Sequence, residues 1–364
     1  MAQSTTIRGN TCSAETWVPQ QPANAPEKTV SGPQNDGVTH PLTSIARKLR
    51  QSELFNSVML RSFRALQRIG INVTPNHFYW PIPDINELEK REWPTSMATM
   101  SFDFHFARQL KMLDRMTADY GNEWTAFPDR PVNGSGGYHH NNGFFEMVDA
   151  EIAYGFVRQH RPARIIEIGT GFSTRVMAAA LQMNKQIDGA GGEIISIDPK
   201  PERVPQNGFS NFVTVIPSAV QDVDLNLFQS LGPNDILFID SSHVVSVGSD
   251  VVREYLEIIP SLRSGVLVHI HDIFFPSDYP REAVLHNMCF WSEQYLVQAF
   301  LSFNNNFEVL WASSAMQAFY PEALEAAFPR WKTSFTDMPK AAGRWVPSQD
   351  DERVWPSSLW IRRV

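Results

Sequence analysis

From residue 145 onward, short apolar segments alternate with amphipathic helical patterns. The apolar segments predict seven strands, at 164–169, 193–198, 212–217, 235–241, 266–272, 307–313 and 357–364. Helical patterns separate most of them, the longest at 281–303, and such crossovers imply right-handed connections and parallel strands. The sequence therefore predicts an α/β fold with a doubly wound, mostly parallel seven-stranded sheet.

The first 143 residues have a different character. Residues 1–42 are rich in polar residues, Pro and Gly, which predicts a flexible tail or, alternatively, an arm that orders on a partner. Residues 43–143 show helical periodicity and surplus apolar and aromatic content, so we expect an N-terminal helical region for dimerisation or as a substrate lid. The sheet domain should then span 144–364, with an insertion near 315–350.

Composition narrows the possible partners. The net charge of −8 at pH 7 argues against a nucleic-acid backbone as the main partner, because such proteins present a basic face. The first 20 residues lack the apolar core of a signal peptide, and no apolar run of about 18 residues occurs, so we expect neither a signal peptide nor a membrane segment. Two cysteines, Cys12 and Cys289, form no disulfide framework, so we expect a cytoplasmic protein.

A glycine-containing loop follows the first predicted strand, in the segment Glu167-Ile168-Gly169-Thr170-Gly171-Phe172-Ser173-Thr174. Glycines at the carboxyl end of such a strand let a cofactor approach the backbone, although a glycine pair also suits a structural turn. A dinucleotide fingerprint would have a third glycine where this chain has Thr174, which disfavours NAD. The second strand ends at Asp198, whose carboxylate could hold both hydroxyls of a ribose or cap the following turn.

Three segments follow one another along the chain: the glycine-containing loop, Ile197-Asp198-Pro199 and the strand that ends at Asp240. In this order they resemble the class I S-adenosylmethionine (SAM)-dependent methyltransferases, which have a Rossmann-like sheet. The stretches Asp149-Ala150-Glu151 and Ser357–Arg363 also resemble a branch of that superfamily. The resemblance implies SAM as the cofactor. The residues it assigns to SAM are Glu167, Gly169, Gly171, Ser173, Asp198, Ala219, Val220 and Asp240.

Polar residues also end the fourth and fifth strands, in the segments Asp240-Ser241-Ser242-His243 and His269-Ile270-His271-Asp272. Carboxyl ends of parallel strands meet at one edge of a sheet, so we expect a cluster there. A hydroxyl acceptor needs its proton removed, and a histidine near neutral pKa is the usual base. The candidate catalytic residues are His243, Asp240 and Asp272. His269 lies within an apolar strand and is interpreted as an interior histidine.

The D-x-x-H spacing followed by an acidic pair resembles the macrolide-sugar O-methyltransferases. That resemblance implies a metal held by Asp240, His271 and Asp272, with His243 as the base. This chain has His271 where that family has an acid, and magnesium prefers oxygen ligands. Zinc, manganese, iron and a metal-free site therefore all stay open.

Candidate acceptor contacts come from three loops. Tyr79 lies in an aromatic, Pro-punctuated segment that either walls a pocket or packs the N-terminal helices. His139 and His140 belong to a Gly-rich loop that either closes as a lid or faces solvent. Tyr279 and Arg281 follow the fifth strand and should border the acceptor.

The sequence thus predicts an enzyme, a SAM-dependent O-methyltransferase of secondary metabolism acting as a homodimer on a small molecule. The acceptor is either a hydroxyl, which needs a base, or a carboxylate such as that of an aromatic acid, which is already ionised. The product is a methyl ether or ester, with S-adenosylhomocysteine. The alternatives are a non-catalytic SAM- or nucleotide-binding protein and a nucleotide-dependent oxidoreductase.

Overall fold

The apolar segments of the sequence become strands of one sheet in a computed structural model of the chain. The structure describes residues 62, 63, 65–74, 81–93, 100–132, 136–201, 211–285, 287–331 and 356–364. The chain divides into two units, Met1–Pro75 and Asn76–Val364. In the first, residues 65–67 are helical and lead into a turn. The predicted tail lies outside the described residues, and the boundaries proposed from the sequence stay predictions.

Helices and strands alternate along the second unit. Its first half contains α1 (Ile85–Glu89), α2 (Phe106–Thr125), α3 (Asp149–His160), β1 (Arg164–Ile168), α4 (Phe172–Asp188), β2 (Glu193–Ile197), β3 (Val213–Ile216), α5 (Leu225–Gln229) and β4 (Ile236–Ile239). Its second half contains α6 (Asp250–Arg253), a π-helical turn (Glu254–Ile258), α7 (Ile259–Ser261), β5 (Leu267–Ile270), α8 (Arg281–Leu285), α9 (Glu293–Leu301), β6 (Phe307–Ala312), α10 (Ser313–Phe319), α11 (Pro321–Ala327) and β7 (Leu359–Arg363). Among the helices that the structure describes, none is both long enough and apolar enough to cross a membrane.

The seven described strands form a single sheet in the order β3-β2-β1-β4-β5-β7-β6. The pairs among β1 to β5 are parallel, whereas β7 pairs antiparallel with both β5 and β6. The strand order reverses beside β1, which is where doubly wound sheets leave a crevice at their carboxyl edge. The predicted α/β fold class, with a mostly parallel seven-stranded sheet, is confirmed.

Helices cover both faces of the sheet, because the strand side chains alternate between two apolar cores. Ile165 and Phe238 point into one core, which α3 and α4 cover. Ile166 and Leu237, each one residue away, point into the other core, which the π-helical turn and α9 cover. The polar carboxyl ends of the strands are therefore left at the edge between the two helical layers.

The prediction of one long helix at 281–303 is wrong. The chain forms two short helices instead, α8 and α9, with Met288 in a left-handed backbone conformation between them at φ 56°. The second helix begins where the amide groups of Ser292 and Glu293 donate to the carbonyl of His243, at 2.9 Å and 3.1 Å. A contact distant in sequence thus sets where α9 starts, and helical periodicity does not detect it.

The region predicted as an insertion near 315–350 is partly helical. α10 and α11 lie at its start, and Met316 and Leu324 are buried in the core beside α2. Residues 332–355 lie outside the described part of the chain.

The close approach of β1 to β4 depends on Gly169. This residue has φ +91°, and a Cβ atom there would lie 2.2 Å from the carbonyl oxygen of Asp240. The two strand ends are also joined by a hydrogen bond from the Asp240 amide to the Ile168 carbonyl, at 2.9 Å. Only glycine allows both the left-handed backbone and this contact.

Gly169→Ala should therefore destabilise the fold by far more than the cost of placing alanine in a left-handed backbone conformation. Gly189→Ala is the matched control, because Gly189 has φ +75° but a Cβ atom there would meet nothing within 4 Å. We expect a loss of about 1 kcal/mol for the control and about 3 kcal/mol or more for Gly169→Ala in urea unfolding. Equal losses would contradict the steric role given to Gly169.

Candidate active site

The glycine loop, Gly169–Gly171, lies between the carboxyl end of β1 and the start of α4. A Cβ atom at Gly171 would meet nothing within 4 Å, so this side of the loop faces open space. Asp198 lies directly across, at the end of β2, and its Oδ2 accepts from the amide and the hydroxyl of Thr170 at 3.1 Å and 2.5 Å. Its Oδ1 accepts from the Lys200 amide at 2.7 Å. The half-buried Asp198 thus does cap a turn, and it stands beside the space next to Gly171.

Glu167 lies beneath the loop with its side chain fully buried. Its carboxylate accepts from the hydroxyls of Ser173 at 2.7 Å and Thr174 at 2.6 Å, and also from Ser196. Burial raises the pKa of Glu167 to about 7, although the three hydroxyl donors oppose the shift. Glu167 and Ser173 therefore fix the start of α4, and the hydroxyl of Thr174 also accepts from the Gly171 amide at 3.0 Å.

Ala219 and Val220 follow β3 and begin a single turn of 3₁₀ helix. Ala219 is half-buried and Val220 is 3% exposed. The next residue, Gln221, donates from Nε2 to the Gly248 carbonyl at 3.1 Å. The loops after β3 and β4 therefore lie together, on the same edge as the glycine loop.

The ring of His243 stands between three carboxylates. Its Nε2 lies 3.4 Å from Oδ1 of Asp240 and 3.3 Å from Oδ2 of Asp272. Its Nδ1 lies 2.9 Å from Oε2 of Glu293, and the indole of Trp291 packs edge-on against the ring at 5.1 Å. The structure thus brings together the three residues that the sequence proposes as catalytic.

Two members of this cluster have a strained backbone. His243 has φ 61° and Asp272 has φ 56°, in the left-handed region that residues other than glycine rarely adopt. Such conformations cost about 1–3 kcal/mol each, and they persist where surrounding contacts hold them, most often at functional sites. In this conformation the two side chains, which follow β4 and β5, approach each other to 3.3 Å.

His271 joins the cluster from the other side. Its Nδ1 lies 3.5 Å from Asp240 and 3.7 Å from Asp272, and its Nε2 lies 3.6 Å from Asp149. The Asp149 carboxylate accepts from the amides of Ser357 at 2.7 Å and Ser358 at 3.1 Å. The start of α3 and the residues before β7 therefore hold His271 in place.

The paired charges set the protonation of the cluster. Burial lowers the pKa of His243, but hydrogen bonds to Asp240 and Glu293 and the charge of Asp272 outweigh it, so its pKa lies well above its usual value. The pKa of His271 is raised in the same way, by Asp272, Asp240 and Asp149 against burial. Burial alone would raise the pKa of Asp240, but the two imidazoles hold it below its usual value. Without a bound cation, the carboxylates therefore favour the protonated form of both imidazoles.

The same atoms form a potential metal site. One ligand atom each of Asp240, His243 and Asp272 lie within 4.8 Å of one another, and His271 stands beside both aspartates. The sequence includes His271 in the ligand set, and the geometry adds His243 as a possible ligand. Two imidazoles with two carboxylates suit zinc, manganese or iron better than magnesium.

His269 is an interior histidine, as predicted. It is fully buried, stacks on Phe238 with 3.7 Å between ring centres, and its Nε2 lies 2.7 Å from the Ser358 hydroxyl.

The solvent-facing alternative for His139 and His140 is wrong, because these rings are only 7% and 1% exposed. His139 packs edge-on against Phe172 at 5.0 Å, beside the glycine loop. His140 Nδ1 lies 3.6 Å from Oε1 of Glu151; burial lowers the pKa of His140 to about 4 and raises that of Glu151 to about 8. Both groups of this pair are therefore neutral near pH 7.

Tyr279 and Arg281, the acceptor candidates that follow β5, both have partners within the fold. Tyr279 is 1% exposed, and its hydroxyl accepts from the Gln294 amide at 2.7 Å. Its ring packs against Trp291 with 5.8 Å between ring centres, and Trp291 in turn packs against His243. Arg281 is exposed and donates to the Glu89 carbonyl at 3.3 Å. Tyr79 lies outside the described residues.

Among the polar residues that contact the cluster, sequence reasoning missed Glu293, Asp149 and Ser357. Glu293 lies 50 residues from His243 in sequence and has no signal in a local motif. Asp149 and Ser357 lie in stretches that contribute to the family resemblance, but nothing in the sequence gave them a role. Ser357 donates from its hydroxyl to Oδ1 of Asp272 at 3.2 Å.

Comparison with known proteins places these residues in a family. Residues 166–273 match a family model described as a methyltransferase domain. A protein of Archaeoglobus fulgidus, itself uncharacterised, is 34% identical over 187 residues, which cover 49% of this chain and 82% of that protein.

Solved structures give weaker likenesses. An O-methyltransferase from Bacillus cereus in complex with SAH is 16% identical with a TM-score of 0.30, covering 55% of this chain and 82% of the other. The methyltransferase MycE from the mycinamycin biosynthetic pathway, in complex with Mg and SAH, is 14% identical with a TM-score of 0.32, covering 69% and 53%.

The raised pKa of Glu167 predicts a pH-dependent stability difference. Because the folded carboxyl has a pKa of about 7 against the usual value of 4.5, the native state binds its proton more tightly, and stability falls as the pH rises between these values. Glu167→Gln removes this loss. The unfolding free energy of the variant relative to wild type should rise by about 2–3 kcal/mol between about pH 5 and about pH 8, without SAM.

Urea unfolding at the two pH values measures this change. Any hydrogen bonds that the variant loses at both pH values contribute equally to the two measurements and therefore cancel in the comparison. Glu89→Gln, at an exposed position in α1, is the control and should show a flat difference. A flat difference for Glu167→Gln would mean that this carboxyl is ionised throughout the range.

Proposed function

This chain belongs to the class I SAM-dependent methyltransferases, and from that premise we propose that it transfers a methyl group from SAM to an oxygen atom of a small-molecule acceptor. One observation carries the proposal. The open side of the glycine loop, the Asp198 carboxylate and the Asp240, His243 and Asp272 cluster lie on the same carboxyl edge of one sheet.

SAM would occupy the space beside Gly171. Gly169 lets the backbone of β1 meet that of β4, and Gly171 leaves its own side of the loop free. Asp198 would exchange its bonds to Thr170 for the two ribose hydroxyls, since a carboxylate accepts such a pair well. Ala219 and Val220 would border the adenine, and Glu167 and Ser173 would support the loop around the methionine part.

The cluster would act on the acceptor. As the acceptor oxygen attacks the methyl carbon, the bond from that carbon to the sulfonium sulfur breaks, and S-adenosylhomocysteine leaves with the electron pair. A hydroxyl acceptor must also lose its proton, which the neutral form of His243 would accept at Nε2, the nitrogen that faces Asp240 and Asp272. With a carboxylate acceptor this step is absent, and the cluster only orients the acid.

The side chains of the cluster also have the donor atoms that a divalent metal ion needs. Asp240, Asp272 and His271, with His243 beside them, offer carboxylate oxygens and imidazole nitrogens within a few ångströms of one another. When bound, a divalent ion would lower the pKa of an acceptor hydroxyl. Its positive charge would also offset the carboxylates that hold the proton on His243.

The sequence supplies the rest of the proposal. The acceptor is a secondary metabolite or an aromatic acid, contacted by Tyr79, His139, His140, Tyr279 or Arg281, and the enzyme works in the cytoplasm as a homodimer. Of these residues, His139 stands nearest the glycine loop, through its contact with Phe172.

Asp198→Ala should weaken SAM binding about 10–100-fold in titration calorimetry, because charge-assisted hydrogen bonds to the ribose are lost. The matched control is Asp224→Ala, which removes a similar turn contact, from Oδ1 to the Asn226 amide at 2.9 Å. It should leave the affinity unchanged. Unchanged SAM affinity in both variants would mean that Asp198 only caps its turn and does not bind the ribose.

His243→Ala should slow methyl transfer to a hydroxyl by about 100-fold or more while leaving SAM affinity intact, because the base is lost but not the cofactor site. The measurement is S-adenosylhomocysteine formed with a panel of phenols, sugar hydroxyls and aromatic acids, with and without EDTA. Full activity of the variant on an aromatic acid would identify a carboxylate acceptor. Loss on EDTA that zinc, manganese or iron restores would establish the metal.

A further inference from the structure

Glu293 is the first residue of α9, and its side chain is fully buried. Its Oε2 lies 2.9 Å from Nδ1 of His243, and its Oε1 accepts from the Tyr255 hydroxyl at 2.8 Å. Each of its carboxylate oxygens thus has a partner. A buried carboxylate is tolerated only when it is paired in this way.

The backbone holds the same two segments together. The amides of Ser292 and Glu293 both donate to the carbonyl of His243, and the Val245 amide donates to the Ser292 hydroxyl at 2.8 Å. Trp291 covers the His243 ring from the side. His243 is therefore docked on the start of α9 through its main chain and its ring alike.

This docking leaves one ring nitrogen for the site. The partner of one imidazole nitrogen decides which nitrogen holds the proton and where the ring points. Because Nδ1 faces Glu293, Nε2 is the nitrogen directed to Asp240 and Asp272, at 3.4 Å and 3.3 Å. Either role of His243, base or metal ligand, needs Nε2 in that place.

We propose that Glu293 is a positioning residue: it accepts the Nδ1 proton of His243 and so fixes Nε2 toward Asp240 and Asp272. Its effect on catalysis rests on the proposed function, whereas its effect on the ring does not. A purely structural Glu293 would do no more than link α9 to the π-helical turn through Tyr255.

Glu293→Gln tests the role, with Glu254→Gln as the matched control. Glu254 is also fully buried, one residue before Tyr255, but it accepts from the Ser241 hydroxyl at 3.1 Å and does not bond to the His243 ring. Glu293→Gln should lower kcat about 10–100-fold without changing SAM affinity, as expected when the partner of an active-site imidazole is lost. Glu254→Gln should retain kcat.

A second readout follows the proton itself. In protein labelled with ¹⁵N-histidine, the Nδ1 proton of His243 should give a slowly exchanging downfield signal, assigned by its absence in His243→Ala. Glu293→Gln should move this signal upfield, because a neutral amide oxygen is a weaker acceptor than a carboxylate. Should Glu293→Gln not fold, Glu293→Asp keeps the buried charge but draws the carboxylate back from Nδ1, and the signal should then be lost.

An unchanged signal in the folded Glu293 variants would overturn the proposal, as would kcat values that fall equally in the Glu293 and Glu254 variants. Failure of the proposed function has a different outcome. Wild-type protein would then transfer no methyl group to any acceptor, while the signal would still respond to Glu293→Gln.

Discussion

The pairing of buried carboxylates with two imidazoles at the carboxyl edge of the sheet is the interaction on which the arrangement of the surrounding segments depends. Four carboxylates meet two imidazoles there: Asp149, Asp240, Asp272 and Glu293 surround His243 and His271. Buried charges must be paired to be tolerated, so every element that carries one of these groups is drawn to the same place. Three features of the backbone hold these charged groups together. They are the left-handed conformation of His243 and Asp272, the start of α9 on the His243 carbonyl, and the hydrogen bonds from the residues before β7 to Asp149.

Local sequence patterns are enough to predict the framework. The apolar runs predict every strand end to within two residues, because a parallel strand that is buried on both faces is mostly apolar. Polar residues just beyond such runs, Asp198, Asp240, His243 and Asp272, could then be assigned to one edge. The sequence identified Gly169 from its place between a predicted strand and a predicted helix, whereas its contact with Asp240 became visible only in the structure.

Contacts distant in sequence account for what was missed. Glu293 reaches His243 across 50 residues, and its helix begins where two amides find a carbonyl of that distant residue. Helical periodicity over 281–303 does not reveal that break. The loop of His139 and His140 is a different case, because the contacts there are local. The side-chain amide of Asn142, two or three residues away, donates to both of their carbonyls and folds the loop inward, which composition does not decide.

The antiparallel strand β7 couples completion of the site to the order of synthesis. It lies between β5 and β6, which do not pair with each other, although it is the last of the seven strands in sequence. Until Ser357 and Ser358 emerge from the ribosome, the amide donors to Asp149 and the hydroxyl donor to Asp272 are missing. A chain stopped before this strand would lack these donors and would leave unpaired the edge of β5 that β7 covers, and an unpaired strand edge is open to aggregation.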